Sequence, residues 1–560
     1  MCGFIGIVNL KKVINHNELE KKLNKAHIFL RPRGPDERGV WYDKNTYFLH
    51  TRLKILDLKD TSSQPMEFGG FVISYNGEIY NFKELKEILL KNGFTFKSSG
   101  DNEILLASWK FWGEDVLQKL DGMFAFSIWD KINKVLYLAK DRFGKKPLVY
   151  THTENSIAFS SDIRSLKEIS YEGDIDELAV ESLFRYRFIH EPLTIYKNFK
   201  KLPAGSFLKF SKRGLELKKW FKINNKTSNY DQAERSKKIV ELTTNAVEKR
   251  LISDVPVGIF LSGGIDSGVI SACLAELGEK IPHFTVGFND EKDDYYNEMK
   301  TAEKITKYFG FEHHKLYLKA EKINPFIEDI IATSDEPFAD SSAIPTFMIA
   351  KETSQHMKVA LSGDGGDEVF GGYRKYIAYR WKFLAGILPN FLKAYLNDTK
   401  LGFKNNNFSE IMRKAKRFFF HINTNINEMQ MSFLDQLSDF EHNELFGKKK
   451  GDSEKEVFND LDIFDDALNQ ALARDIIFSL SGDMLVKVDR FSMRHSLEIR
   501  SPFLDKDLVD YAFSIEGKKK IGYFNGKKVL KKAFQQMLPK NYMSLPKKGF
   551  EIPLEKWLMK

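Results

Sequence analysis

Residues 1–6 read "MCGFIG", so one of the two cysteines in 560 residues stands directly behind the initiator methionine. Removal of Met1 would leave Cys2 with a free α-amino group beside its thiol. Because an α-amine has an unperturbed pKa of about 8, it could act as the general base for that thiol. The position suggests an N-terminal nucleophile. An incidental cysteine at the start of a strand is the simpler interpretation while position is the only observation.

The residues that follow predict strands with antiparallel partners. "GFIGIV" (3–8) predicts a short N-terminal strand. "GFVISYNGEIYN" (70–81) is an apolar run whose Asn-Gly pair is typical of a turn. "FAFSIWD" (124–130) and "VLYLAKD" (135–141) alternate in polarity and predict a hairpin across "KINK". The first part of the chain is therefore expected to be α+β.

The pattern changes between residues 208 and 232. From there, predicted helices and buried strands alternate, as in "AERSKKIVELTTNAVEKRL" (233–251) followed by "VPVGIFLS" (255–262). Such alternation predicts an α/β, doubly wound parallel sheet. We expect two domains, residues 1–208 and 232–560, the second ending in a mostly helical part.

Two glycine-rich turns stand out in the second domain. "FLSGGIDSG" (260–268) lies between a predicted strand and a predicted helix, where successive backbone N–H groups can hold a pyrophosphate. It lacks the lysine of the nucleotide-triphosphatase loop. "LSGDGGDE" (361–368) has the same form. A structural turn is the alternative, but the strand, the helix and Asp266 favour a phosphate site.

Composition excludes several other classes. The formal charge is 86 − 77 = +9. No segment combines a basic face with interleaved aromatic residues, so nucleic-acid binding is not predicted. The sequence has no apolar run of about 18 residues, so no membrane span is predicted, and no secretory signal is expected. Cys2 and Cys273 cannot form a disulfide framework, and no cluster has zinc-ligand spacing. We expect a cytoplasmic protein without membrane or nucleic-acid partners.

Six ordered fragments carry a resemblance to a known family. The fragments are "MCGFIG", "RPRGPDE" (31–37), "HTRLKILD" (50–57), "YNGEIYN" (75–81), "SSGDNEILL" (98–106) and "AKDRFGKKPLVY" (139–150). Together they resemble the glutaminase domain of class II amidotransferases, which is an αββα sandwich with an N-terminal nucleophile. "FLSGGIDSG" resembles the SGGxDS loop of enzymes that split ATP into AMP and pyrophosphate. This order of domains resembles the glutamine-hydrolysing asparagine synthetase family.

The resemblance implies roles at the glutaminase site. Cys2 would attack the side-chain amide of glutamine, and Asn76 and Gly77 would form the oxyanion hole. His50 is expected to be structural, because the α-amine already fills the role of base. The implied glutamine-binding residues are Arg52, Glu78 and Asp101.

The resemblance also implies roles at an ATP site. The implied ATP contacts are Phe260, Ser262, Gly263, Gly264, Asp266, Ser267, Val286, Ser362 and Gly363. Asp266 and Asp367 match magnesium ligands. The residues implied near an acyl-adenylate are Asp364, Lys527 and Lys547. The implied reaction consumes ATP, aspartate and glutamine, and ammonia would travel inside the protein to the acyl-adenylate.

Three departures from the family pattern bear on this interpretation. Asp364 stands where some asparagine-forming members have glutamate, which leaves the acceptor acid open. Lys54 stands where serine is usual, close to the implied glutamine pocket. The chain ends at "EKWLMK" (555–560), earlier than many members, so a C-terminal helix of the family is expected to be missing.

Alternative functions predict different sequence features. A paralogue that amidates a sugar or peptide carboxylate would carry the same motifs. A sulfur-inserting tRNA-modifying enzyme would need catalytic cysteines in its adenylating domain, whereas Cys273 is alone in an apolar helix. A non-catalytic regulator predicts broken motifs, and a sugar-phosphate aminating enzyme lacks the SGGxDS loop. A homodimer is expected by analogy only.

Overall fold

The computed structural model describes residues 2–227, 230–288, 298–318, 323–385, 426–451, 455–458 and 464–545. Its first part is built from short antiparallel strands. These are β1 (Gly3–Asn9), β2 (Glu37–Tyr42), β3 (Thr46–Arg52), β4 (Met66–Phe68), β5 (Phe71–Ile79), β6 (Gly122–Asp130), β7 (Val135–Lys140), β8 (Val149–His152), β9 (Ser156–Ser160), β10 (Lys200–Lys201), β11 (Ser206–Ser211) and β12 (Gly214–Lys219). The predicted N-terminal strand and the predicted β6–β7 hairpin are confirmed.

The twelve strands among the described residues form two sheets packed face to face. Their orders are β10-β8-β9-β1-β3-β2 and β12-β11-β7-β6-β5-β4. Phe4, Phe48 and Trp129 belong to the apolar cluster that both sheets share. Helices His16–Leu30 and Ile163–Ile169 pack together beside the first sheet; their counterparts beside the second are Phe82–Lys91 and Asp101–Trp112. This arrangement is the expected αββα sandwich.

The Asn-Gly pair does not form the turn that the sequence predicts. Asn76 and Gly77 lie inside β5, opposite Ala125 and Phe124 of β6. The strand continues through the pair because the β6 backbone supplies partners on that side. The pair is therefore placed at the end of a strand beside β1 rather than at a hairpin tip.

The second part contains a parallel sheet. Its strands are β13 (Val257–Phe260), β14 (His283–Phe288), β15 (His313–Leu318), β16 (Val359–Leu361) and β17 (Glu498–Arg500), and their order is β15-β14-β13-β16-β17. All four pairings are parallel. The strand order reverses between β13 and β16, which is where doubly wound sheets bind ligands. The predicted doubly wound sheet is confirmed.

Helices surround this sheet and fill the C-terminal part. The described helices are Gln232–Lys249, Ile265–Glu276, Met299–Phe309, Ile323–Thr333, Ala343–Thr353, Gly366–Phe370, Arg374–Ala385, Ile426–Leu434, Asp439–Phe446, Lys455–Phe458, Ala467–Asp475, Leu485–Met493, Lys506–Ser514, Gly517–Lys520 and Lys528–Phe534. A π-helical stretch, Ile476–Met484, separates two of them. Asp231 and Glu234 start the first helix with a reciprocal capping box. None of these described helices is long and apolar enough to cross a bilayer.

The two parts meet along the outer edge of the parallel sheet. β17 pairs only with β16 among the described strands, and all three of its residues are buried. Arg500 of β17 lies 3.4 Å from Glu78 of β5. The second sheet of the sandwich continues to Lys219, beyond residue 208, and the domain limits stay predictions.

Candidate active sites

Cys2 lies at the beginning of β1 with two polar contacts that fix its backbone. Its N–H donates to Asn76 Oδ1 at 3.0 Å, and Arg33 Nε donates to its carbonyl oxygen at 3.1 Å. Asn76 is fully buried, and its Nδ2 has no partner within the described part of the chain. Because the side-chain oxygen is engaged by Cys2, the amide NH2 is left to donate to an oxyanion.

The thiol of Cys2 is poorly ionised where it lies. Burial raises its pKa, and the Leu53 backbone and Arg52 only partly oppose this effect. A raised pKa means that the thiolate forms only if a nearby base removes the proton. The α-amine of a chain that starts at Cys2 would be that base.

Gly77 has no room for a side chain. An added Cβ would lie 2.1 Å from the carbonyl oxygen of Met123 and 2.7 Å from Phe124 Cα. Only glycine lets β5 approach β6 this closely beside Cys2.

A small cavity adjoins Cys2 and contains the predicted glutamine-binding residues. Its lining residues are Cys2, Arg52, Leu53, Leu56, Ser62, Gln64, Tyr75, Gly77, Glu78, Asp101 and Asn102. Asp101 Oδ2 accepts hydrogen bonds from Tyr75 Oη at 2.7 Å and from the Ile79 N–H at 2.8 Å. Burial nevertheless raises the pKa of Asp101. The carboxylate is thus oriented toward the cavity before any ligand binds.

Arg52 is held by the backbone of the loop that follows it. Its guanidinium donates to the carbonyls of Lys59 at 3.0 Å and Asp57 at 2.5 Å, and it pairs with Glu37 at 3.2 Å. Lys54, the departure from the family pattern, also pairs with Glu37, at 3.4 Å. Lys54 therefore acts on the same carboxylate as Arg52 but does not line the cavity.

Glu78 connects the glutaminase site to the second part of the chain. Burial, and then the charge of Glu498, hold the pKa of Glu78 well above its ordinary range, although Arg500 lies 3.4 Å away. Glu498 is bound by Arg500 at 2.6 Å. Burial would raise the pKa of Glu498, but Arg500 outweighs that effect and lowers it to about 2. Glu498 is therefore the nearer carboxylate partner of Arg500, and burial disfavours the charged form of Glu78 beside this pair.

His50 is buried on β3 with its Nε2 3.0 Å from the carbonyl oxygen of Tyr75. Burial lowers its pKa to about 4, so the imidazole is neutral. It does not line the cavity beside Cys2. This placement agrees with the expected structural role.

The glycine-rich turn of the second part joins β13 to helix Ile265–Glu276. Ser267 Oγ accepts from the Ser262 N–H at 3.2 Å, and Ser262 Oγ accepts from the Gly264 N–H at 3.2 Å. Gly263 has φ +77°, and an added Cβ would lie 2.8 Å from the Glu298 carbonyl oxygen. The turn is thereby closed on itself around the helix N-terminus, the geometry that suits an anion.

A cavity of about 540 Å³ opens at the carboxyl ends of β13 and β16. It contains most of the predicted ATP-site residues, namely Phe260, Ser262, Asp266, Ser267, Val286, Ser362, Gly363, Asp364 and Asp367. Gly263, Gly264 and Lys527 line a neighbouring cavity that shares Ser262 and Asp266. Lys547 lies outside the described residues.

Lys527 joins the two predicted magnesium ligands. Its Nζ lies 2.5 Å from Asp266 Oδ2 and 2.5 Å from Asp367 Oδ1. Two carboxylates that converge on one cation offer the hard oxygen donors that Mg²⁺ prefers, so the residues present fit that ion.

Two protein-family models together span most of the chain. The model described as asparagine synthase matches residues 238–560, and the one described as a glutamine amidotransferase domain matches residues 1–221. The chain belongs to the asparagine synthase family. Membership in the asparagine synthase family places it among the glutamine-hydrolysing ligases, which use ATP.

Several relatives match this chain over most of their own length. "Asparagine synthetase [glutamine-hydrolyzing] 1" of Bacillus subtilis is 32% identical over 100% of this chain and 88% of its own. "Putative asparagine synthetase [glutamine-hydrolyzing] 2" of Methanocaldococcus jannaschii is 33% identical over 88% of this chain and 98% of its own. "Amidase chry2" of Gibberella zeae is 25% identical over 100% of this chain and 90% of its own. A solved B. subtilis glutamine phosphoribosylpyrophosphate amidotransferase covers 65% of this chain and 82% of its own at 12% identity and a TM-score of 0.30.

Sequence reasoning missed several residues of both sites in this asparagine synthase family member. On the glutamine side these are Arg33, Gln64, Tyr75 and Asn102. On the ATP side they are Arg187, Asp340, Asp483 and Lys487. Arg33 and Tyr75 lie inside quoted fragments, so those fragments were the available signal. Asp483 lies in the π-helical stretch, and tertiary packing brings it to this cavity.

Proposed function

We propose that the protein amidates aspartate to asparagine at the expense of ATP, with ammonia taken from glutamine. The observation that carries the proposal is the pairing, in one chain, of a buried terminal cysteine beside Asn76 with a phosphate loop at the sheet switch point. Relatives named asparagine synthetase over nearly full length support it.

The first half-reaction releases ammonia. The α-amine of the mature chain takes the proton of the Cys2 thiol, and the thiolate attacks the side-chain carbonyl of glutamine. Asn76 Nδ2 and the Gly77 N–H would stabilise the oxyanion. The protonated α-amine returns its proton to the nitrogen of the tetrahedral adduct, whose collapse expels ammonia and leaves a thioester that water hydrolyses to glutamate.

The second half-reaction activates the acceptor. A carboxylate oxygen of aspartate attacks the α-phosphorus of ATP, pyrophosphate leaves, and an acyl-adenylate results. The Ser262–Ser267 turn would hold the departing pyrophosphate, and Phe260 and Val286 would flank the adenosine. Asp266 and Asp367 would hold Mg²⁺, which neutralises phosphate charge when bound.

The charges around the second cavity favour an amino-acid acceptor. Arg187 and Lys487 are cationic, and Asp340 and Asp483 are acidic. Lys487 Nζ contacts Asp340 at 2.8 Å, whereas Arg187 forms no ion pair with any described residue. A zwitterion with a second carboxylate suits such a mixed set of charges, because it offers groups of opposite sign to both the cationic and the acidic side chains.

An ATP–pyrophosphate exchange assay over a panel of carboxylic acids tests the proposal. Exchange that depends on aspartate alone supports it. Exchange with another acid and not with aspartate would select the second candidate, amidation of a different carboxylate. Asp364 in the second loop is the observation that favours that candidate, and the relative named amidase chry2 is consistent with it. Glutamine hydrolysis measured in parallel checks the first half-reaction.

A further inference from the structure

Lys145 is a buried lysine without a counter-ion. It lies between β7 and β8 of the first part, and 6% of its surface is exposed. Its Nζ contacts Ser501 Oγ at 2.5 Å and forms no ion pair with a carboxylate in the described part of the chain. The charged groups that face it from its own loop and from the second part are Asp141, Lys146, Arg250 and Asp364. An ammonium ion buried without a partner is costly, which favours the neutral amine.

A row of hydroxyl groups leads from this amine to the ATP-site cavity. Ser501 Oγ lies 3.3 Å from Ser362 Oγ, and Ser362 lines that cavity. Ser362 Oγ in turn contacts Asp364 Oδ2 at 2.6 Å. A hydroxyl can accept one proton while it donates another, so the row can relay a proton.

Lys145 also borders a second space. A cavity of about 260 Å³ between the two parts of the chain is lined by Lys145 and by charged residues that include Arg33, Arg164, Asp335 and Asp489. Thr333 Oγ1 and Glu336 Oε2, which belong to lining residues, have no hydrogen-bond partner among the described residues. A cavity of this size with unpartnered polar atoms on its wall has room for water, which would carry protons away from the amine.

We infer that Lys145, acting through Ser501 and Ser362, takes up the proton that ammonia loses as it becomes the amide. The inference rests on the proposed acyl-adenylate. Ammonia forms a C–N bond to the acyl carbon, and the carbonyl π electrons move to oxygen. A proton then leaves the new nitrogen for Ser362, whose own proton passes to Ser501 and then to Lys145. The C–O bond to AMP breaks as the carbonyl re-forms, and Lys145 later loses its proton to the interdomain cavity.

The electrostatics around Lys145 favour its neutral amine, the form that can accept a proton. Burial, followed by the charge of Lys146, lowers the pKa of Lys145 to about 7. The amine is therefore mostly neutral above pH 7 and accepts a proton there. Below pH 7 it is already protonated, and the amide-forming step should slow.

The test isolates the amide-forming step. Enzyme is first given ATP and the acid that the wild type accepts in exchange, and then mixed rapidly with ammonium at constant free ammonia from about pH 6 to about pH 9. Lys145→Met should form amide about 100-fold more slowly and should lose the fall in rate below pH 7. Lys145→Arg should be equally slow, because its guanidinium stays protonated. Glutamine hydrolysis and ATP–pyrophosphate exchange should be unchanged in both.

Two further variants keep the inference falsifiable. Ser501→Ala removes one hydroxyl of the relay with a small change in side-chain volume. It should slow amide formation, and ATP–pyrophosphate exchange should persist. Lys520→Met is the matched control, because Lys520 is also buried with its pKa lowered to about 7 by burial, yet its amine contacts the Val369 carbonyl and the Phe513 ring and no hydroxyl among the described residues. It should keep the wild-type pH profile.

The outcomes separate the relay from the proposed function. A wild type that exchanges with no acid would overturn the proposed function and the relay with it. If Lys145→Met still catalyses ATP–pyrophosphate exchange and forms amide at the wild-type rate and with the wild-type pH profile, the relay alone is overturned. Loss of the low-pH fall in Asp364→Asn but not in Lys145→Met would assign the proton to Asp364 instead.

Discussion

The proposed nucleophile for glutamine is the Cys2 sulfur. We expect Cys2→Ala to abolish glutamine-dependent amidation and to leave ammonium-dependent amidation at the wild-type rate, because the ATP-site cavity contains no part of Cys2. Amide formation with each nitrogen source, measured on the same preparation, checks this. A variant that still consumes glutamine would assign the nucleophile elsewhere.

His50 should make the fold less stable in acid. Its pKa is lowered to about 4 in the folded state by burial, whereas an exposed histidine titrates near 6.5. Between these values the unfolded chain binds the extra proton, so stability present at neutral pH is lost as the pH falls. The contribution is about 2 kcal/mol between roughly pH 7.5 and pH 5. Urea unfolding of wild type and His50→Gln at both pH values should show a smaller loss in the variant; an equal loss would contradict the argument.

At the scale of elements, the two glycine turns are packed against each other. An added Cβ at Gly366 would lie 2.6 Å from Asp266 Oδ1. Gly366→Ala should therefore displace Asp266 and reduce ATP–pyrophosphate exchange at least about tenfold, the effect of roughly 1.4 kcal/mol. Glutamine hydrolysis should not change. Gly451→Ala is the control, because its Cβ would meet nothing closer than 3.6 Å. Wild-type ATP–pyrophosphate exchange in Gly366→Ala would show that the turn can shift to accommodate the added methyl group.

Elements that carry their own local signal were predictable from the sequence. The β6–β7 hairpin and the β13 turn depend on alternation and glycine, which are local patterns. The Asn76–Gly77 pair was misjudged because its strand conformation is imposed by β6, a partner some 50 residues away in the chain. Arg187 and Asp483 reach the ATP cavity only through tertiary packing, so no spacing in the sequence joins them to the phosphate loop.

On the scale of the whole molecule, Arg500 is a fully buried cation between the two parts. It pairs with Glu498 and donates to the carbonyls of Arg250 and Ile252 at 2.9 and 2.6 Å. Arg500→Met should lower the free energy of unfolding by about 3–5 kcal/mol, because the buried Glu498 loses the cation that lies nearest to it. Arg500→Met with Glu498→Met should recover part of the loss. Urea titration measures both, and equal stability of the single variant and wild type would refute the pairing.

An exposed ion pair provides a comparison for the stability loss expected in Arg500→Met. Lys238 and Glu241 contact each other at 2.7 Å, but both are well exposed. Lys238→Met should cost about 0.5 kcal/mol or less, since water already solvates the partner it leaves.

The position of β17 has a consequence for how the protein could be divided. All three residues of this edge strand are buried, and Arg500 faces Glu78 of the glutaminase part. A fragment made of the second part alone would lose that cover along β17, and an uncovered strand edge promotes strand-to-strand association between copies. The first part therefore covers an edge of the parallel sheet as well as carrying Cys2.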